Sequence, residues 1–205
     1  PGEALLQRVR FEPAQFVEAA KQSPRGAICM SGHFGNWELL AAAITDAGIP
    51  MSALVKEQRN PLVDRYIARA RTKKNIETFP LGIAVRGFVK ALREKKFVAV
   101  LGDQDAHREG VFIHFMGRPA STAKGAAILA LKTGAPMHFG AAVREAAGTH
   151  TIYLETIDHS DLTGVTEENI RILTQRHVQL LEKYVRQWPD HWFWMHRRWK
   201  TKPDA

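Results

Sequence analysis

His33 and Glu38 are the two residues whose types and spacing could perform chemistry together. An imidazole held by a carboxylate is oriented and made more basic, which suits a general base that removes a proton from a hydroxyl group. On a regular helix five residues correspond to about 500° of rotation, so the two side chains would not share one helical face. We therefore expect His33 on a loop and Glu38 in the first turn of a helix, where the chain can bend until carboxylate and imidazole meet.

The surrounding sequence predicts the elements that would place these two residues. Residues 27–30 form a short apolar run typical of a buried strand. Asn36 is a good helix cap, and the apolar residues after it recur at helical spacing. Gly32 and Gly35 leave the backbone around His33 open to a substrate. A purely structural alternative stays open, in which His33 is an ordinary loop histidine and Glu38 is an acid favoured by the helix dipole.

The string Ser-Gly-His-Phe-Gly-Asn-Trp-Glu at residues 31–38 resembles the H-x4-D/E block of the lysophospholipid acyltransferase superfamily. Its form is similar to that of the lipid A biosynthesis (lauroyl/myristoyl) acyltransferases of Gram-negative bacteria. The resemblance implies that His33 is the base, that Glu38 orients it, and that a hydroxyl of a glycolipid acceptor attacks a fatty acyl thioester. The donor would be acyl carrier protein or coenzyme A, with no metal or organic cofactor. Gly35 and Asn36, with neighbouring loop N–H groups, are candidates to hold the tetrahedral oxyanion.

Composition predicts one globular domain over residues 1–205, since a chain of 205 residues with 45% hydrophobic content can bury a sizeable core. The single cysteine, Cys29, excludes a disulfide framework and is expected to be a small buried hydrophobe. We find neither a signal peptide nor a run of about 18 apolar residues. Family members usually carry an upstream membrane anchor, so the opening on Pro1 is consistent with a missing anchor.

The net charge of +8 fits three acidic partners, namely nucleic acid, an anionic membrane and an acidic protein. Zinc-finger spacing, an aromatic RNA-binding pattern and a long basic run are all absent from the sequence, which argues against nucleic acid. The resemblance favours the other two partners and implies a location at the cytoplasmic face of the bacterial inner membrane.

Apolar runs and helical periodicities alternate along the first half of the chain. Strands are predicted at 27–30, 51–55, 76–80 and 97–101, with helices from Asn36, from Asn60-Pro61 and over 83–95. This alternation predicts an α/β fold in which helices flank a mostly parallel central sheet in three layers. Strands predicted at 137–143 and 151–157 with a hairpin-like connection add an antiparallel edge. A capping-box pattern at Thr166 opens a long helix, on which His177 is expected to be a hydrogen-bonded core residue.

Polar residues that follow predicted strands are candidates to bind the acceptor. Asp103 and Gln104 follow the strand at 97–101, and the resemblance places this block at the acceptor pocket. A metal site at Asp103-x-Asp105-x-His107 lacks a fourth nearby ligand, and turn chemistry or acceptor contacts are preferred. Arg118, in a glycine turn ahead of a helix capped at Ser121 or Thr122, would bind an anion. The predicted acceptor set is Lys56, Arg59, Asp103, Gln104, Gly117 and Arg118.

Aromatic and apolar residues are predicted to line the acyl chain. The segment at 110–117 resembles the family block Gly-Val-Phe-x-x-Phe-x-Gly, although His114 stands where proline is common. The predicted wall consists of Phe34, Phe112, Phe115 and Met116.

The chain ends in aromatic residues interleaved with basic ones at 188–200, which resembles the Trp-x-Trp-x-His-Arg-Arg-Trp-Lys ending of the family. Such a segment could stack on bases or lie in a membrane headgroup layer. It could equally be a last strand or turn packed on the sheet, with Arg197, Arg198, Lys200 and Lys202 solvated. Two functional alternatives therefore stay open: a basic nucleic-acid- or membrane-binding module without catalysis, and an acyltransferase for another acceptor such as a phosphoinositide mannoside.

Overall fold

A computed structural model gives the fold and describes residues 2–55, 58–80 and 84–203. Within these ranges a seven-stranded sheet has the order β1-β9-β8-β2-β5-β3-β4, and a separate hairpin joins β6 to β7. The strands are β1 Val9–Glu12, β2 Ala27–Ser31, β3 Met51–Val55, β4 Ile76–Pro80, β5 Phe97–Leu101, β6 Val111–Phe115, β7 Arg118–Thr122, β8 Met137–Arg144 and β9 His150–Thr156.

The helices are α1 Gly2–Leu6, α2 Gln15–Gln22, α3 Trp37–Asp46, α4 Pro61–Lys73, α5 Ala84–Arg93, α6 Gly125–Thr133 and α7 Glu167–Gln187. Three predicted caps are confirmed, because the side chains of Asn36, Asn60 and Thr166 accept hydrogen bonds from the first turns of α3, α4 and α7. These caps satisfy backbone N–H groups that have no partner within the helix.

The predicted α/β class is confirmed, since β2 pairs in parallel with both β5 and β8 while β8 and β9 pair antiparallel. Side chains of β2 alternate between two apolar clusters. Ile28 and Met30 join the cluster that includes α7, whereas Ala27 and Cys29 join the cluster beneath α3. A sheet buried on both faces needs such continuous apolar runs. Burial raises the pKa of the Cys29 thiol to about 12, in keeping with a structural role.

One local expectation was wrong. Ser121 and Thr122 do not cap a helix, since they belong to β7 and pair with Phe112 and Val111 of β6. The helix that follows, α6, begins at Gly125 with Lys124 at its cap position. Cross-strand pairing therefore outweighed the local capping preference of a serine and a threonine.

Arg198 in the C-terminal segment is buried. The expectation that this arginine would be solvated was therefore wrong. The Arg198 guanidinium donates hydrogen bonds to the carbonyl of Ser121 and the hydroxyl of Thr122. It thereby fastens residues 197–200 to the hairpin formed by β6 and β7.

His177 is buried on α7 as predicted, although its ring nitrogens make no hydrogen bond of ordinary geometry within the described ranges. Burial lowers the pKa of His177 to about 4, so the ring is neutral at pH 7.

No helix among residues 2–55, 58–80 and 84–203 is both long and apolar enough to cross a membrane.

Candidate functional site

His33 and Asp103 meet where two neighbouring parallel strands end. In the pairing of β2 with β5, Ser31 lies opposite Leu101, and each strand is followed by a glycine and then by a titratable residue. The register therefore places His33 beside Asp103 at the carboxyl edge of the sheet, which is where open α/β sheets carry their sites. Gly32 favours this approach, because a Cβ there would lie only 3.2 Å from the Asp103 carboxylate and 2.9 Å from the Leu181 side chain.

Asp103 holds His33 by two hydrogen bonds. The Nδ1 of His33 lies 2.8 Å from Oδ1 of Asp103, and the backbone N–H of His33 donates to Oδ2 over 2.8 Å. Because an ionised carboxylate only accepts hydrogen bonds, Nδ1 carries a proton, and in the neutral form of the ring Nε2 then keeps its lone pair. The His33 side chain is 24% exposed, whereas that of Asp103 is 3% exposed. The ring can thus meet a substrate while its partner is shielded from water.

Trp192 completes the support of Asp103. Its indole N–H donates to Oδ2 of Asp103 over 3.0 Å, and Trp192 is itself buried. Burial raises the pKa of Asp103, but the hydrogen bonds and charge of His33 and the bond from Trp192 outweigh it, so the pKa lies below its ordinary value. Asp103 is consequently ionised at pH 7. The backbone N–H of Phe193 also donates to the carbonyl of His33 over 2.9 Å.

The expected pairing of His33 with Glu38 needs correction. Glu38 does lie in the first turn of α3, but its carboxylate accepts two hydrogen bonds from Arg71 of α4, over 2.5 and 3.2 Å. The hydrogen bond to Nδ1 that we expected from Glu38 is made by Asp103. Asp103 is accordingly not placed to contact an acceptor, since its carboxylate is buried and occupied.

The loop that carries His33 is held in one conformation. Gly35 has a φ of +55°, a region that favours glycine, and a Cβ on it would clash with the carbonyl of Ala142. The Gly35 N–H donates to the carbonyl of His191 over 2.7 Å, so this N–H is not available to an oxyanion. The side-chain oxygen of Asn36 is occupied in capping α3 through the N–H of Leu39.

Two of the four residues of the predicted acyl wall lie in the core. Phe34 and Phe115 are fully buried in the core, where they pack against Tyr184 and Trp192 respectively. Phe112 and Met116 are partly buried on and beside β6. Two small apolar cavities of about 30 and 50 Å³ lie beneath α3, between that helix and strands β3 and β5, and we treat them together as one apolar slot. Its lining residues include Trp37, Ala41, Leu54, Ala99 and Leu101, with Glu38 and Arg71 also at its wall.

The remaining acceptor candidates are dispersed. Lys56 lies outside the described residues, and Arg59 is exposed just ahead of α4. Gln104 is exposed at the end of β5, where its carbonyl accepts from Arg198. Gly117 turns the hairpin, and the guanidinium of Arg118 lies 4.9 Å from the ring centre of Trp199. Arg118 is therefore on a strand and not at the N-terminus of a helix.

A wide polar cavity of about 720 Å³ opens on the other side of the His33 loop. Its wall combines that loop with the turn between β8 and β9 and with the short 3-10 helix at Pro189–His191. The residues involved are Gly35, Asn36, Arg144, Glu145, Ala146, Gly148, His150, Asp190 and His191. No group of three or more histidines, cysteines or acids able to hold a metal ion occurs among the residues that the structure describes.

Sequence comparison adds evidence independent of this geometry. The family described as "Bacterial lipid A biosynthesis acyltransferase" matches residues 1–201. A lipid A biosynthesis palmitoleoyltransferase of Escherichia coli (strain K12) is 27% identical over 189 residues, covering 91% of this chain and 60% of that protein. A lipid A biosynthesis acyltransferase of Haemophilus influenzae is 26% identical over 201 residues, covering 95% of this chain and 62% of that protein.

A more distant similarity concerns another acceptor. A phosphatidylinositol mannoside acyltransferase of Mycolicibacterium smegmatis is 25% identical over 127 residues, covering 58% of this chain and 42% of that protein. The chain thus spans about 60% of the length of the curated lipid A relatives that it matches.

Proposed function

Because this chain belongs to the bacterial lipid A biosynthesis acyltransferase family, we propose that it transfers a fatty acyl group from a thioester to a hydroxyl of a glycolipid. The donor would be an acyl carrier protein or coenzyme A thioester, and the acceptor a lipid A precursor. The observation that carries the proposal is the hydrogen bond between Asp103 and the Nδ1 of a partly exposed loop histidine, His33. This arrangement leaves Nε2 as a base with an oriented lone pair.

The proposed reaction uses His33 twice. Nε2 of His33 takes the proton from the acceptor hydroxyl as its oxygen attacks the thioester carbonyl carbon. The imidazolium formed is stabilised by the ionised carboxylate of Asp103, which lies 2.8 Å from Nδ1. When the carbon–sulfur bond breaks, the imidazolium returns the proton to the departing thiolate. An ester and a free thiol result, and His33 is neutral again.

The oxyanion formed on attack needs hydrogen-bond donors near His33. We assign this role to backbone N–H groups at the start of α3 beside Asn36, because Asn36 fixes the helix end and the dipole of α3 favours negative charge there. Gly35 contributes by shaping the turn, since its own N–H is already bonded to His191.

Glu38 takes a different role in this proposal from the one its spacing predicted. With Arg71 it forms an ion pair at the wall of the apolar slot beneath α3. We propose that the acyl chain enters at this slot, which widens to hold it, and that the ion pair fixes α3 against α4 beside it. Arg59 and Arg118 are proposed contacts for acceptor phosphates because both are exposed arginines.

The test is acyl transfer followed by mass spectrometry of the lipid product, with acyl carrier protein thioester and lipid A precursor as substrates. We expect His33→Ala to lose transfer by about 10²- to 10⁴-fold, the usual contribution of a general base. His107→Ala is the matched control, since His107 is an exposed histidine near the same sheet edge, and it should retain wild-type transfer. Near-wild-type turnover by His33→Ala would refute the mechanism. Use of a phosphatidylinositol mannoside in preference to lipid A precursor would reassign the acceptor.

An anionic membrane surface is the partner that we propose for the exposed apolar residues of α4 and of the C-terminal segment. Leu62 and Tyr66 of α4 are 68% and 77% exposed, and Trp194 and Met195 are 51% and 82% exposed. Exposed apolar side chains beside basic residues are typical of interfacial binding. The neighbouring basic residues are Arg59, Arg65, Arg69, Arg197 and Lys200.

Vesicle sedimentation tests this partner. The protein should bind vesicles that contain phosphatidylglycerol more tightly than vesicles of phosphatidylcholine alone. The variant Leu62→Ser/Tyr66→Ser should weaken binding, whereas Val165→Ser, at an exposed apolar residue before α7, should not. If both variants bind the vesicles equally well, α4 does not belong to the membrane-binding surface.

A further inference from the structure

The polar cavity beside the His33 loop has a composition suited to one kind of ligand. Two carboxylates, one guanidinium and two imidazoles line it, and no aromatic ring other than the imidazoles does so among the described residues. The groups present can both donate and accept hydrogen bonds. The chemistry of the cavity therefore depends on which of these groups are already engaged within the protein.

His191 is committed to the protein on both ring nitrogens. The backbone N–H of Arg144 donates to Nε2 of His191 over 3.1 Å, so Nε2 has no proton. Nδ1 therefore carries the proton, and it lies 3.0 Å from Oδ1 of Asp190. His191 is thus a neutral spacer that fixes the 3-10 helix to the end of β8, and it orients the carboxylate of Asp190 at the rim.

His150 is also uncharged at neutral pH. Burial lowers its pKa, and the charge of Arg144 lowers it further. The charged side chains that face the cavity are then Arg144, Glu145 and Asp190, of which only one is positive. Glu145 accepts a hydrogen bond from the Thr151 hydroxyl over 2.8 Å and keeps further acceptor sites.

This balance disfavours a phosphate, because two carboxylates would face the anion and one guanidinium would oppose them. It favours an uncharged ligand with many hydroxyl groups, each of which donates to one carboxylate oxygen and accepts from an N–H. We propose that this cavity holds a sugar ring of the glycolipid acceptor, with Arg144, Glu145 and Asp190 as its contacts. This inference rests on the proposed acyl transfer and adds where the carbohydrate part of the substrate is recognised.

The polar cavity and His33 share one loop. Gly35 and Asn36 form part of its wall and follow His33 directly in the same loop. The segment at 191–193 joins both, since the carbonyl of His191 accepts from Gly35 while the N–H of Phe193 donates to the carbonyl of His33. A sugar bound here would present a hydroxyl at the sheet edge from the side opposite the apolar slot.

The experiment compares Michaelis constants for two acceptors, a lipid A precursor and a sugar-free long-chain alcohol. Arg144→Met and Glu145→Gln should each raise KM for the lipid A precursor about tenfold, with KM for the thioester unchanged. KM for the sugar-free alcohol should also stay unchanged. Arg171→Met is the matched control, because Arg171 is an exposed arginine paired with Glu168 on α7, and it should leave every constant unchanged. Circular dichroism at 222 nm verifies folding.

A second measurement uses soluble probes with the complete protein. We expect a glucosamine disaccharide without phosphate to inhibit transfer competitively against the lipid A precursor, and this inhibition should weaken in Arg144→Met. Inorganic phosphate should inhibit equally in wild type and variant. An unchanged KM for the lipid A precursor in both variants, or an equal rise for the sugar-free alcohol, would overturn the proposal. Slow hydrolysis of the thioester by water, which needs His33 but no sugar, should survive in the control Arg171→Met. Its loss in His33→Ala tests the transfer mechanism separately.

Discussion

The apolar slot and the polar cavity lie on opposite sides of one histidine and differ in almost every property. The slot beneath α3 is narrow and lined by residues such as Ala41, Leu54 and Ala99. The cavity beside the turn between β8 and β9 is wide and lined by charged and polar side chains. His33 lies just after the central strand β2, with β8 and β9 on one side of that strand and β5 and β3 on the other. Under the proposed function, this difference would let one site distinguish a hydrocarbon donor from a carbohydrate acceptor.

The carboxylates of Asp103 and Glu38 also differ in what they contact. Removing the charge of Asp103 should produce the largest effect of the variants considered. Asp103→Asn should lower kcat by about 10²- to 10⁴-fold, because the neutral amide no longer stabilises the imidazolium of His33. Glu38→Gln should lower kcat much less, since Glu38 contacts Arg71. Steady-state transfer assays measure both.

The matched control is Glu182→Gln, at a carboxylate on α7 that binds Arg186 and the N–H of Met116. A larger loss of kcat in Glu38→Gln than in Asp103→Asn would return the orienting role to Glu38.

Narrowing the slot should produce the next effect. Ala41→Leu places a larger side chain in the slot wall while keeping a good helix former in α3. We expect kcat/KM for a dodecanoyl thioester to fall about ten- to a hundredfold, in line with overpacking costs of about 1–3 kcal/mol. A butanoyl thioester should be affected far less. Ala42→Leu, one position along the same helix, is the control and should change neither value. Equal losses for both chain lengths would exclude the slot as the acyl site.

Much of the secondary structure around the site could be predicted from local sequence. Apolar runs located β2, β3 and β5, and the capping side chains of Asn36, Asn60 and Thr166 located the starts of three helices. Each of these signals is contained within a few residues. The sequence also identified His33, because two glycines and a helix-capping asparagine surround it within residues 31–38.

The acid partner of His33 could not be predicted in this way. Asp103 follows His33 by 70 residues and reaches it only because β2 and β5 are neighbours in register. The order of strands in a sheet is a non-local property that periodicity does not contain. A usable signal did exist, since both strands end in a glycine followed by a titratable residue. Phe34 was misplaced for a related reason, because its core contact with Tyr184 depends on where α7 packs.

The smallest expected effect is on the pH dependence of folding stability, through a buried histidine of α7. His177 is buried with a pKa of about 4, below its ordinary value of 6.5. The unfolded chain therefore binds a proton more readily, and the free energy of unfolding should fall as the pH drops from about 6.5 towards 4. At pH 5.5 this group alone should lower the free energy of unfolding by about 1.4 kcal/mol, relative to a pH at which the ring is neutral in both the folded and the unfolded chain. His177→Leu should remove that part of the pH dependence in urea titrations, while exposed His107→Leu should not. A pH dependence that His177→Leu leaves unaltered would contradict this assignment.

The most direct measurement of the central claim is the ¹⁵N and ¹H NMR spectrum of the His33 imidazole at pH 8. We expect a proton on Nδ1, shifted downfield by its hydrogen bond to Asp103. That shifted resonance should be lost in Asp103→Asn and unchanged in Glu38→Gln. A resonance that persists in Asp103→Asn but disappears in Glu38→Gln would show instead that Glu38 holds the base.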